Sequence, residues 1–286
     1  MEKSLNISAA QSDHSRNFKD FQWVYPVISR RSGGVSIGIN LNKDKFCNFK
    51  CIYCQVDRKK SVPKLKPDIK EIIKELTQIL EYFTPAGICT LKMFEQVPSN
   101  KKILNDIALS GDGEPTIAVN FPEVCKALHD FQLQTTLPFK LVLITNSTRL
   151  LKTRVITGMQ EIMSSSGEIW AKLDGGSTAW YKKVNRSNIS LDTIEKGLIQ
   201  TGCKFPLTIQ TLWCTIHNLA PPMAEIDRYI QRLLHIKEEG ADLSVIQLHT
   251  LARPPSQSYC GPVSKKFLLE IQNIIQKRTR LKVVVY

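Results

Sequence analysis

Short apolar runs and helical stripes alternate along this chain. Residues 34–41 read as a strand. Ile69, Ile72, Ile73, Leu76, Ile79 and Leu80 then recur at helical spacing, with Pro67 and Asp68 at the start. The rhythm repeats: strand 106–109 and helix 121–131, strand 140–145 and helix 154–163, strand 168–173 and helix 191–199. Strand 207–214 precedes a stripe of Met223, Ile226, Ile230, Leu233 and Leu234. Strand 243–251 precedes helix 267–275, and 282–286 is a last strand.

Six β/α units in succession predict an α/β fold on a parallel sheet. Continuous apolar strands with polar residues at their carboxyl ends predict a barrel or part-barrel. An open doubly wound sheet satisfies the same period. Residues 1–20 are polar and predict a disordered N-terminal segment, leaving 21–286 as a single domain. Residues 86–105 are the least periodic internal stretch and predict a surface excursion.

At 286 residues and 42% hydrophobic, the chain has ample material for a core. Its start lacks the apolar segment of a signal peptide, and no run approaches the ~18 residues of a membrane span. The expectation is a cytoplasmic protein with no membrane partner. The formal net charge of +13 leans toward a polyanionic partner, RNA first. Basic residues gather at Arg30–Arg31, Arg58–Lys60, Lys101–Lys102, Lys182–Arg186 and Lys277–Lys282. A solvated basic surface is the plainer alternative.

The sharpest chemical signal is Cys47-x3-Cys51-x2-Cys54. Three thiolates this close can ligate three irons of a [4Fe-4S] cluster and leave the fourth open to a ligand. A Cys-x2-Cys pair is also half of a zinc site. The remaining cysteines, Cys89, Cys125, Cys203, Cys214 and Cys260, supply no second such pair.

Polar clusters fall at the carboxyl ends of the strands, where a parallel barrel places its function. Gly111-Asp112-Gly113-Glu114-Pro115 follows strand 106–109; its acidic residues suit an ammonium and disfavour a phosphate. Thr145-Asn146-Ser147 ends the next strand, with turn-making as its plainer role. Lys172 and Asp174 share a strand face. Gln210 and Gln247 interrupt apolar strands, which marks a polar inner surface or an edge. His217 and His249 are possible proton carriers, although lone histidines are more often structural. Arg253 suits an anionic substrate group.

The cysteine triplet, with aromatic Tyr53 before its last member, resembles the signature of the radical S-adenosylmethionine (SAM) superfamily. Residues 25–255 further resemble the branch of wyosine-type tRNA-modifying synthases, through Pro26-Val27-Ile28-Ser29-Arg30-Arg31 with Gly34, Tyr53-Cys54-Gln55, Ser110–Thr116, Lys172-Leu173-Asp174, Asn185-Arg186 and Thr250–Pro255. No cysteine precedes Cys47, so the second cluster of the wyosine synthase has no ligands here. The resemblance implies an incomplete parallel (β/α)6 barrel. It implies that Cys47, Cys51 and Cys54 hold the cluster and that SAM chelates its open iron. It assigns SAM binding to Tyr53, Gly111, Asp112, Gly113, Glu114, Asn146, Lys172 and Gln210. Arg30, Arg31, Asp174, Gln247 and Arg253 are substrate candidates. A tRNA substrate and a reductase such as flavodoxin or ferredoxin are the implied partners. The other readings are a radical SAM enzyme for a small molecule or protein, and a non-enzymatic Fe–S or zinc RNA-binding protein.

Overall fold

A computed structural model of the chain describes residues 18–58, 63, 65–83, 91–95 and 97–286. Ten strands are described: β1 (Val24–Ser29), β2 (Gly34–Ile39), β3 (Leu104–Leu109), β4 (Lys140–Thr145), β5 (Gly167–Lys172), β6 (Leu207–Leu212), β7 (Cys214–Ile216), β8 (Leu243–His249), β9 (Cys260–Pro262) and β10 (Val283–Val285). Seven α-helices accompany them: α1 (Ile69–Leu80), α2 (Phe121–Gln134), α3 (Thr153–Met163), α4 (Thr178–Val184), α5 (Leu191–Gly202), α6 (Met223–Glu238) and α7 (Lys265–Thr279). The expected N-terminal segment lies outside the described residues as far as 17. Phe18 is already buried, edge-on to Phe21 and Tyr82.

Eight strands form one sheet in the order β1-β2-β3-β4-β5-β6-β8-β10. Spatial order follows chain order, and all pairs from β2 to β10 are parallel. A doubly wound sheet would reverse direction midway. This one curls as a mostly parallel half-barrel with its helices packed against it.

Period-2 alternation sorts the side chains. Ile37, Ile107, Leu141, Leu143, Ile169, Ile209 and Ile246 belong to the main core, together with Ile72, Leu76 and other helix residues. On the other face, Ala108, Val142 and Trp170 form a separate small cluster with Ile144. Polar Asp106, Gln210 and Gln247 are buried among these strands.

β1 is a strand beyond those the period predicts, and it contains Pro26, which lacks a ladder donor. Among the described residues it pairs with β2 alone, antiparallel, and a proline is tolerated on such an edge strand. Buried Glu75 on α1 fixes its start by accepting from the backbone N–H groups of Gln22, Trp23 and Val24 at 2.6, 2.9 and 2.9 Å. The expected strand 207–214 divides at Trp213, whose N–H donates to the His249 carbonyl at 2.9 Å. Its continuation, β7, pairs with β9 in a short antiparallel ribbon.

Candidate functional site

A cavity of about 410 Å³ opens among the carboxyl ends of the strands, and all three motif cysteines line it. Tyr53, Gly111, Asp112, Gly113, Glu114, Asn146, Lys172, Arg30, Arg31 and Arg253 line it too. Thirteen of the sixteen residues singled out from the sequence therefore meet in one place.

The cysteine loop runs from β2 toward α1. Lys50 N–H donates to the Asn185 carbonyl at 3.0 Å and Ile52 N–H to the Val184 carbonyl at 2.9 Å, pinning the loop to the end of α4. Donors point at the sulfurs. Phe49 N–H reaches Cys47 Sγ at 3.4 Å, Asn146 Nδ2 reaches it at 3.7 Å, and Asn185 Nδ2 reaches Cys51 Sγ at 3.6 Å. Arg58 Nη1 sits 2.8 Å from Cys54 Sγ. Burial, with Glu114 nearby, pushes the Cys47 thiol up to about 11. Burial and the Asp174 carboxylate push Cys51 to about 12. Ligation by iron would displace those protons, and the surrounding N–H donors suit the resulting thiolates. All three thiols are free of disulfides. Among the described residues, no three His, Cys, Asp or Glu side chains are grouped around a single-ion position. A four-iron cluster takes one thiolate per iron, and the donor set fits it.

The glycine-rich loop packs directly against the cysteine loop. A Cβ on Gly113 would lie 2.0 Å from the Phe46 carbonyl oxygen, and one on Gly111 would lie 2.3 Å from Asn40 Oδ1. The Glu114 N–H donates to that same Phe46 carbonyl at 3.2 Å. Asn40 Nδ2 holds Asp112 Oδ2 at 2.6 Å and receives the Asp112 N–H on its own Oδ1 at 3.1 Å. Buried Glu114 binds the next strand end: its Oε1 accepts from the Thr116 and Thr145 hydroxyls at 2.6 and 2.7 Å, and its Oε2 from Asn146 N–H at 2.7 Å. Burial raises this carboxyl above the usual carboxylate range, against the pull of those hydrogen bonds.

Three expected residues lie off the cavity wall. Gln210 and Gln247 are buried side by side, Nε2 to Oε1 at 2.8 Å. Asp174 is buried beneath the cysteine loop, where it accepts from the Tyr53 hydroxyl, from Asn185 Nδ2 at 2.8 Å and from Leu212 N–H at 2.9 Å. Lys172 Nζ stands 3.6 Å from Asp174 Oδ1 and 5.1 Å from the centroid of the Tyr53 ring. Asp174 thus orients Tyr53 and Lys172.

The cavity also holds residues with weaker sequence signals. Arg58 joins the two loops, donating to the carbonyls of Lys45 at 3.0 Å and Asp112 at 2.9 Å as well as to Cys54. Only its place four residues after Cys54 separated it from the other basic residues. Trp170 lies 5.5 Å under the Arg31 guanidinium, and Asp106 accepts from the Ser36 hydroxyl. His249 lines the same wall; burial, with Lys172 and Arg31 nearby, holds its imidazole well below the usual histidine range.

No family model matches the chain. A UPF0026 protein of Methanocaldococcus jannaschii is 24% identical over 254 residues, which cover 88% of this chain and 70% of that one. Among solved structures, Streptococcus suis SuiB bound to S-adenosylmethionine superposes with a TM-score of 0.58 at 12% identity, over 87% of this chain and 50% of SuiB. Native anSMEcpe with bound AdoMet gives 0.53 at 14% identity, over 87% of this chain and 63% of that one. The chain shares the fold of these proteins while spanning about half to two thirds of their length.

Proposed function

We propose that this protein is a radical SAM enzyme, with a [4Fe-4S] cluster on Cys47, Cys51 and Cys54, acting on RNA, tRNA in particular. The observation that carries this reading is the meeting of three free, donor-surrounded thiols with the glycine-rich loop and a polar cavity at the carboxyl ends of a half-barrel. When bound, the cluster and SAM would supply one-electron cleavage of the sulfonium and a 5′-deoxyadenosyl radical for hydrogen abstraction.

The chain's own residues bind and orient. Phe49, Asn146, Asn185 and Arg58 present donors to the sulfurs. Gly111, Asp112, Gly113 and Asn146 line the cavity wall with the three cysteines and would hold SAM there. Glu114 braces that wall by tying β3 to β4. Arg30, Arg31, Lys172 and Arg253 give the cavity cationic character suited to an anionic substrate. The branch resemblance and the charge of +13 support RNA. The electron would come from a reductase such as flavodoxin or ferredoxin, in the cytoplasm, and residues 21–286 would act as one domain. Among the described residues no helix is long and apolar enough to cross a membrane.

The test is anaerobic reconstitution with SAM and dithionite, measuring 5′-deoxyadenosine with and without bulk small RNA. RNA-stimulated cleavage is expected. Cleavage indifferent to RNA would move the substrate to a metabolite or protein. An intact cluster without cleavage would leave a non-enzymatic Fe–S protein.

A further inference from the structure

Three residues outside the cavity lining, two of them exposed and Tyr259 half-buried, assemble a stack. The His217 ring lies 5.1 Å from the Tyr259 ring, with planes 22° apart. The Arg186 guanidinium is 5.9 Å from the same ring and donates to the Tyr259 hydroxyl. His217 and Arg186 are exposed. Both carry left-handed backbone, φ 50° in each, as does Asn218 at φ 63°. That geometry is uncommon for residues other than glycine. The His217 N–H donates to the Tyr259 carbonyl at 2.8 Å, so the two segments are fastened together.

The stack adjoins the proposed active site. Asn185, next to Arg186, reaches Cys51 Sγ at 3.6 Å. Tyr259 ends the loop in which Ser256 N–H donates to the Cys54 carbonyl at 3.0 Å and Arg253 lines the cavity. Lys182 and Lys183 lie exposed at the end of α4, just before it.

An exposed imidazole backed by a phenol ring, flanked by cations, matches the way unpaired nucleic acid is held: bases stack on aromatic faces while basic side chains follow the phosphates. We infer that His217, Tyr259 and Arg186 form a stacking platform for an unpaired nucleobase of an RNA strand, beside the nucleotide presented to the cavity. This deepens the RNA reading above, and binding can be measured without turnover. A carboxylate-rich protein partner would use the cations but would gain nothing from the ring face.

The test is fluorescence-anisotropy binding of a labelled unstructured 15-nucleotide RNA to the full chain, across a salt series. Heparin, a polyanion without bases, serves as competitor. H217N removes the ring while keeping a residue that tolerates left-handed backbone; its fold is checked by melting. H217N should weaken RNA binding by about five- to a hundredfold with its salt slope unchanged and heparin affinity unaltered. R186A should lower the salt slope by about one. RNA binding unchanged in H217N, an equal loss toward heparin, or no RNA binding by the wild type would overturn the inference. SAM cleavage without RNA, assayed in parallel, separates this outcome from failure of the radical SAM reading.

Discussion

Gln55 and Arg253 hold each other reciprocally. Arg253 Nη1 donates to Gln55 Oε1 at 3.0 Å, and Gln55 Nε2 donates to the Arg253 carbonyl at 3.1 Å. The residue after the last motif cysteine is thereby joined to the loop that follows β8, so this part of the cavity wall is set from the cysteine loop itself. Arg253→Lys keeps the charge and loses the fork. It should leave iron content unchanged, shift the melting temperature by less than about 2 °C, and lower RNA-stimulated SAM cleavage about tenfold. Loss of iron in this variant would show instead that the contact holds the cluster loop together.

Gly113→Ala should damage the cysteine loop from outside it. Its Cβ would meet backbone, the Phe46 carbonyl oxygen at 2.0 Å, so one of the two loops must move. Overpacking of this kind costs about 1–3 kcal/mol. Reconstituted iron should drop several-fold and the melting temperature by several degrees, read by iron assay and calorimetry. A variant with full iron would show that the loops move apart freely.

Glu114→Ala strips the Thr116 and Thr145 hydroxyls and the Asn146 N–H of their buried acceptor. Unsatisfied buried donors cost about 1–3 kcal/mol each. Denaturant unfolding should show a loss of at least about 2 kcal/mol before any cofactor is added. An unchanged midpoint would leave ligand binding as this carboxylate's only role.

His249 gives a pH dependence. Burial and the neighbouring Lys172 and Arg31 lower its folded-state pKa well below the usual histidine value of about 6.5. Below about pH 6.5 the unfolded chain therefore binds a proton that the folded chain refuses, so stability falls with falling pH. His249→Gln removes that term. Between pH 7 and 5 the wild type should lose more stability than the variant, read by urea midpoints; parallel losses would mean the imidazole charges freely in the folded state.

The sequence period made the order of strands and helices readable because each strand's outer face feeds the main core, as Ile107, Leu141 and Ile169 do. It was silent on β1, whose Pro26 breaks the strand signal yet suits an edge, and on α4, seven residues capped by Ser177 and too short to show a stripe. Local cysteine spacing brought three thiols to one cavity wall, since the cysteine loop is one continuous segment. Longer-range partners were harder: Asp174 turned inward to Tyr53 and Asn185, and Gln210 to Gln247, pairings that strand alternation alone does not specify. Arg58 and Asn40 act through contacts made only once the two loops meet.

The most direct measurement is paired anaerobic reconstitution of the wild type and Cys51→Ala, with iron, sulfide and 5′-deoxyadenosine quantified after adding SAM and dithionite. The wild-type chain should take up about four irons and cleave SAM, and the variant should lose both. A wild-type chain that takes up zinc or no metal, or a variant that still cleaves SAM, would contradict it.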